Sequence, residues 1–338
     1  MGGDLTAHPE VVEGRSRLRG NVAESRGSRF FGVPTHPFTL HFEAVGSLVY
    51  TAHRCQQPHP LEPSYMSAIQ TWNGMVRLEH EQSDRIRGQR PTDSWATAAR
   101  NFKQDPFRTD DGVVEALRSR LAPGETLLDI GAGGGRLALP LALTCSAVTA
   151  VEPSPSMCAV FRETADEFDI SNVSLIESDW MSAAAEPADV VLCCNVLYVI
   201  SDIAAFVRNL DNHARRLVLV ILMRTPPRWQ VRHVWEAVHG EPRLPMPTVP
   251  QFLPVLDQLG IQPEITDLPE RPPHEFASRE EAIAGIAPQL YVEPGTEEMQ
   301  RLEQFLDRSL QQQDGVWRLE GAQPVRSCIV SWSPVGLR

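Results

Sequence analysis

The residues best suited to chemistry form one run, Asp129-Ile130-Gly131-Ala132-Gly133-Gly134-Gly135-Arg136, set between an apolar stretch at 125–130 and a helical pattern. Glycines in such a place let the backbone turn sharply and approach a ligand where a Cβ would collide. The helix that follows offers unpaired N–H groups to an anionic part of that ligand. A dinucleotide fingerprint of the form G-x-G-x-x-G would need its third glycine at position 136. Arg136 stands there, so the pattern is G-x-G-x-G with an acid ahead of it. Glu152 ends the next apolar run, 21 residues beyond Gly131. A carboxylate at about that separation accepts hydrogen bonds from ribose hydroxyls in nucleoside-binding βαβ units. The two features together point to a nucleoside ligand.

Other reactive types form no comparable pattern. His-Glu-x-x-His and Cys-x-x-Cys spacings are absent, so no metal site is expected. Cys193 and Cys194 fall inside an apolar run and read as packing residues, since a reactive thiol needs an exposed, electropositive setting. His233 and His239 are six apart on an expected helix and so do not share a face. Either has the chemistry of a base for an acceptor hydroxyl, although a surface or core role suits each better.

The glycine run resembles the first motif of the class I S-adenosylmethionine-dependent methyltransferases, a hydrophobic strand ending in (D/E)-x-G-x-G-x-G. The resemblance spans residues 110–225 well and 226–338 in outline. It implies S-adenosylmethionine as cofactor and S-adenosylhomocysteine as product. Asp129, Gly131, Ala132 and Gly133 would then surround the methionine part, and Glu152 would take the ribose hydroxyls. Pro153 and Met157 would flank the adenine, with Asp179 at its amino group and Trp180 beside its ring. Asn195 and Val196, closing the fourth strand, would be cofactor neighbours near the methyl. The run Asn195-Val196-Leu197-Tyr198 departs from the Asn/Asp-Pro-Pro-aromatic run of enzymes that methylate nucleobase amines. The Pro-Cys pair of cytosine-carbon methyltransferases is also missing. Enzymes of this family share cofactor residues rather than catalytic ones; here Tyr198 and His233 are the candidates for touching the acceptor.

These residues need a scaffold, and the pattern supplies one. Strand-like runs at 125–130, 147–151, 173–177, 188–194 and 216–223 alternate with helical ones. Such alternation implies right-handed crossovers and a parallel sheet covered on both faces. Ser154 and Pro155 form an N-cap and first-turn proline for a helix through Phe168. Ser201 is expected to cap a helix lined by Ile203, Phe206, Val207 and Leu210. Helices are expected at 250–259, 278–285 and 297–312, with a short strand near 261–268. Residues 315–319 and 326–332 read as a hairpin of antiparallel strands. The fold class expected is α/β, a doubly wound, mostly parallel seven-stranded sheet with an antiparallel C-terminal strand and an N-terminal helical lid.

The lid is read from two helical spacings, Ile69, Trp72, Met75 and Val76, then Trp95, Ala98, Ala99 and Phe102, before Asp105-Pro106. Domain boundaries follow: a tail at 1–65, the lid at 66–106 and a Rossmann-like domain at 107–338 with cap insertions at about 224–250 and 269–314. The tail holds five of the ten histidines and shows no sustained period, and translation starting at Met66 is a further reading of the change there.

Composition bounds the function. The 338 residues carry 31 basic and 43 acidic side chains, a net charge of −12, and 42% are hydrophobic, enough for a substantial core. Lys103 is the only lysine, which removes most Schiff-base chemistry. The acidic balance disfavours a nucleic-acid footprint. No apolar run reaches the roughly 18 residues of a membrane span, and the first 25 residues lack the apolar core of a secretory signal. Scattered cysteines fit reduced thiols in a cytoplasm. The reading is methyl transfer to a small-molecule acceptor. Its alternatives are a methyltransferase acting on protein or RNA, or a nucleoside-binding protein that transfers no methyl group.

Overall fold

The computed structural model describes residues 66–88 and 91–336; the tail expected at 1–65 lies outside them. Helices are α1 Ala68–Arg87, α2 Gly112–Arg118, α3 Ala138–Ala142, α4 Pro155–Glu167, α5 Ile203–His213, α6 Arg232–His239, α7 Val249–Gln258, α8 Arg279–Ile286 and α9 Glu297–Ser309. Strands are β1 Thr126–Ile130, β2 Ala147–Glu152, β3 Val173–Glu177, β4 Ala188–Cys194, β5 Ala214–Met223, β6 Glu264–Asp267, β7 Leu310–Gln313, β8 Val316–Leu319 and β9 Ser327–Trp332.

Seven strands form one sheet in the order β3-β2-β1-β4-β5-β9-β6. β1 to β5 pair in parallel, and β9 runs antiparallel to both β5 and β6. The chain winds outward from β1 through β2 to β3, then returns to place β4 on the other side of β1. That reversal opens a crevice at the carboxyl ends of β1 and β4, where open α/β sheets bind ligands.

Side chains along the strands point alternately to the two faces. Leu128, Ile130, Val191 and Val220 pack on one face with Phe206 of α5, Phe252 of α7 and Trp72 of α1. Leu127, Val190, Leu192 and Ile221 pack on the other with Leu117, Leu141 and Phe161 of α2 to α4. A third core joins Val234, Trp235 and Val238 of α6 to Ile286, Leu302 and Leu306 of α8 and α9. Among the described residues, no helix is long and apolar enough to cross a membrane.

Four local expectations are corrected. Residues 95–102 do not form an α-helix: turns lead into a single 3-10 turn at Ala99–Phe102. The cap of α5 is Asp202 rather than Ser201, its carboxylate accepting from the Ala205 amide at 3.1 Å. The strand at 316–319 does not pair with 327–332. It pairs with β7 across Asp314 and Gly315, both with positive φ, the geometry of a two-residue hairpin turn. The helix expected to reach 312 therefore stops at Ser309. β9 is buried along nearly its whole length, so it fits between two strands, whereas half-exposed β8 does not.

Candidate functional site

The glycine loop leaves β1 at the crevice. Gly131 has φ 71°, and its amide donates to the Val151 carbonyl at 2.8 Å. A Cβ here would lie 2.3 Å from Cγ2 of Val196, so the turn after β4 packs directly on this glycine. Gly133, with φ 57°, is different: a Cβ would meet only Sδ of Met157, at 3.8 Å. The space above Gly133 is open, and the left-handed backbone there suits glycine.

Two carboxylates flank this opening. Glu152 ends β2 and is 5% exposed. Its Oε2 accepts from the Gly133 amide at 2.9 Å and its Oε1 from the Ser154 amide at 2.9 Å. Burial pushes its pKa up, against the lowering effect of those two bonds. An ionised carboxylate has about four lone-pair sites, so each oxygen keeps capacity for a further donor such as a sugar hydroxyl. Asp129, the last-but-one residue of β1, is 2% exposed. Among the described residues no hydrogen bond reaches its carboxyl group. Burial and the nearby Glu152 push its pKa up to about 7, with Arg136 opposing. A buried carboxyl without a donor is costly, and an ammonium group would satisfy it. An open cradle, a carboxylate with spare acceptors and an unpartnered buried acid fit an amino-acid-bearing nucleoside.

A further clasp comes from the segment before α2. Asp93 reaches the start of α4, accepting from the Ser154 hydroxyl at 2.8 Å, the Ser156 amide at 3.0 Å and the Trp95 amide at 2.9 Å. Burial works to raise its pKa, but bonds from Ser156, Trp95 and Ser154 outweigh this and hold it at about 2. Phe102 stacks edge-on against Trp95, their centroids 5.3 Å apart. It also lies 3.4 Å from where a Gly134 Cβ would stand. Ala99, Met157 and Val160 close a small apolar cluster beneath it. Asp93 was not singled out from sequence, although an Asp two residues before a turn amide is the signature of an Asx-turn. Arg136 was also missed as a neighbour of Asp129. It pairs with Asp111 at 2.9 Å, a carboxylate shared with Arg108 at 2.8 Å.

The structure thus gathers Asp129, Gly131, Ala132, Gly133, Glu152, Met157 and Val196 around one crevice. Pro153 is exposed beside them. Asn195 follows β4 with φ 58°, and its Oδ1 accepts from the Tyr198 hydroxyl at 3.1 Å. That hydroxyl also accepts from the Met223 amide at 2.6 Å. Tyr198 is therefore buried and doubly bonded, and burial pushes its pKa well up. Asp179 is exposed, its carboxylate turned to the Ser182 amide. Trp180 is 5% exposed in the core, 4.8 Å edge-on from His213, and its indole N–H has no acceptor among the described residues. His233 lies exposed on α6. His239 Nε2 donates to the Leu290 carbonyl, 2.9 Å away, and burial lowers its pKa. Cys193 is fully buried with its thiol pushed far up, and burial pushes Cys194 up to about 12.

Comparison with known proteins bears on the same segment. Residues 128–216 match the family described as Methyltransferase domain. A ubiquinone biosynthesis O-methyltransferase of Methylocella silvestris is 40% identical over 103 residues, 28% of this chain and 40% of the relative. A probable ribosomal RNA small subunit methyltransferase A of Methanosphaera stadtmanae is 25% identical over 132 residues, 38% of this chain and 48% of the relative. The chain spans less than half the length of these curated relatives. Among solved structures, a putative methyltransferase of Bacillus halodurans superposes with a TM-score of 0.47 at 16% identity, covering 66% of this chain and 97% of that one. The magnesium protoporphyrin IX methyltransferase of Synechocystis, with bound S-adenosylhomocysteine, gives 0.40 at 18% identity over 60% and 92%. The matched segment begins within β1 and carries the glycine loop, Glu152 and the turn after β4. Residues 128–216 are thus similar to a methyltransferase domain.

Proposed function

We propose that the whole protein transfers a methyl group from S-adenosylmethionine to a small-molecule acceptor. The observation that carries this reading is the trio of open Gly133, half-satisfied Glu152 and unpartnered Asp129 at one crevice. S-adenosylmethionine, when bound, supplies a methyl already activated by a sulfonium. Asp129 would hold its ammonium, Glu152 its ribose hydroxyls, and Met157 and Pro153 would flank its base, with Val196 and Asn195 at the turn nearest the reacting end. Asp179 and Trp180 remain the proposed neighbours of the base amine and ring.

Little acid–base chemistry is then required of the chain, and positioning does most of the work. Holding reactants in line supplies roughly 7–11 kcal/mol in well-oriented cases. The elements suited to this are α1 and the helices of the third core. α1 is tied to the loop after β4: Trp72 Nε1 donates to the Ile200 carbonyl at 3.0 Å, and the Ile203 amide donates to Asn73 Oδ1 at 3.3 Å. A cap in this position excludes water from the crevice and encloses a small acceptor. The net charge of −12 and the relatives named for ubiquinone biosynthesis support a small molecule over a nucleic acid. A cytoplasmic setting fits the buried free thiols.

The test is incubation with methyl-labelled S-adenosylmethionine in a metabolite extract, with mass-spectrometric search for labelled product. A labelled small molecule is expected. Label found only in protein or RNA, or no formation of S-adenosylhomocysteine, would contradict the reading.

A further inference from the structure

A cluster apart from the glycine loop lies where α1, the loop after β5 and the third core meet. At its centre is Tyr291. The Arg87 guanidinium lies 4.1 Å above its ring, and Arg228 Nη1 donates to its hydroxyl at 2.8 Å. The same hydroxyl faces Ser83 Oγ at 3.4 Å. Arg243 stacks 4.2 Å over Trp235, whose ring is 6.0 Å from that of Tyr291. Three guanidiniums thus meet in one place. Among the described residues a single carboxylate, Glu79, pairs with one of them, 3.2 Å from Arg243. Among the described residues, Arg87 has no hydrogen-bond acceptor or ion-pair partner and the buried Trp235 N–H has no acceptor.

The backbone at this cluster is unusual as well. Five non-glycine residues among those described have positive φ: Asp169, Asn195, Arg228, Tyr291 and Asp314. Asn and Asp tolerate that region, but long or bulky side chains do so at a cost. Arg228 and Tyr291, at φ 61° and 58°, are the two exceptions, and they are bonded to each other. Strain held at a mutually bonded pair is a mark of a functional position. The electrostatics agree. Burial raises the Tyr291 pKa, but Arg228, Ser83 and Arg87 together outweigh it and bring the phenol below its usual value. Burial lowers the Arg243 pKa, and repulsion from Arg228 adds to that. The cluster favours negative charge and holds too little of it.

By chain position the cluster's Arg228, Arg243 and Tyr291 follow the carboxyl end of β5. Arg228 stands five residues beyond Met223, the end of β5, so it lies within about 18 Å of the sheet's carboxyl edge at full extension. Ser83 and Arg87 lie on the same helix whose Trp72 is bonded to the loop after β4.

We propose that Arg87, Arg228 and Tyr291 form a cradle for an oxyanion, a carboxylate or phosphate, carried by the methyl acceptor. The acceptor is then an anionic small molecule, an assignment that rests on the methyl-transfer reading above. Arg228 would offer its remaining N–H donors in a fork, a geometry suited to planar or tetrahedral oxyanions. Arg87, held over the Tyr291 ring, would offer a second fork. Arg243, already paired with Glu79, keeps the surroundings positive.

The test uses the full chain and titrates inorganic phosphate and benzoate by calorimetry, with chloride held constant. Saturable binding of one of them is expected, and the tighter one names the group. Arg87→Gln with Arg228→Gln should weaken it at least tenfold while leaving S-adenosylhomocysteine affinity unchanged, which also reports an intact fold. Tyr291→Phe, which keeps the ring under Arg87, should weaken it less. Independently, bound oxyanion should move Tyr291 ionisation, followed by ultraviolet difference absorbance, to higher pH. No binding of either probe to the wild type, or equal binding by the double variant, would overturn the cradle. Loss of S-adenosylhomocysteine binding with oxyanion binding retained would instead overturn the methyl-transfer reading and leave the cradle as an anion site.

Discussion

At the residue scale, neighbouring glycines of the loop do different jobs, and substitution should separate them. Gly131→Ala places a Cβ against Val196 Cγ2 at 2.3 Å on a left-handed backbone. A stability loss of about 2–4 kcal/mol is expected by urea unfolding, partly recovered by adding Val196→Ala. Gly133→Ala meets no such neighbour and should cost only about 1–2 kcal/mol. Its larger effect should be on S-adenosylhomocysteine affinity, since it fills the open cradle. A Gly131→Ala protein as stable as the wild type would contradict the packing. Asp129 gives a pH signature. Its folded pKa of about 7 is raised above the unfolded value near 3.9. The unfolded chain therefore loses this proton first, and stability falls as pH rises from about 4 to 7, then levels. Binding runs the other way: an ammonium needs the carboxylate form, so affinity should rise roughly tenfold per pH unit up to about 7 and then flatten. Asp129→Asn should abolish that slope in calorimetry, and a slope unchanged in the variant would rule Asp129 out as the partner.

At the element scale, the strands were legible because burial on both faces leaves an uninterrupted apolar run bounded by polar residues. β3 and β4 fall at the residues the pattern indicates, Val173–Glu177 and Ala188–Cys194. The segment 91–104 was misread because Trp95, Ala98, Ala99 and Phe102 keep a helical spacing without a helix. The spacing comes from a turn followed by a 3-10 turn, and the anchor is Asp93, whose partners lie some sixty residues away. The pairing of β8 was misread for a related reason: strand character is local, but which strand lies alongside is not. Asp93→Ala should remove two acceptor contacts at the start of α4 and the turn contact to the Trp95 amide at once. A loss of about 1–2 kcal/mol, as for a helix N-cap, is expected by denaturation, with faster proteolysis within 91–104. Unchanged proteolysis would show that the clasp does not hold the segment.

At the scale of the molecule, a sheet with two packed faces carries a third core on its carboxyl-edge loops, and α1 bridges them. The Arg243–Glu79 pair sits inside that junction, with side chains 5% and 3% exposed. Removing one partner of a buried pair leaves a charge unsatisfied, so Glu79→Leu should cost about 3–5 kcal/mol, and Glu79→Leu with Arg243→Met much less. A double variant no more stable than the single one would refute the coupling. The crevice was legible in sequence because a glycine loop and a strand-end acid are local signals. The Tyr291 cluster was not, since Ser83, Arg87, Arg228, Arg243 and Tyr291 are brought together from four separate stretches of chain. The most direct measurement is calorimetric titration of S-adenosylhomocysteine, with NAD in parallel, into the wild type and Glu152→Ala. Binding of the first ligand alone is expected, weakened at least tenfold in the variant while its unfolding midpoint stays close to that of the wild type. Equal affinity in both proteins, or preference for NAD, would contradict a nucleoside sugar held by Glu152.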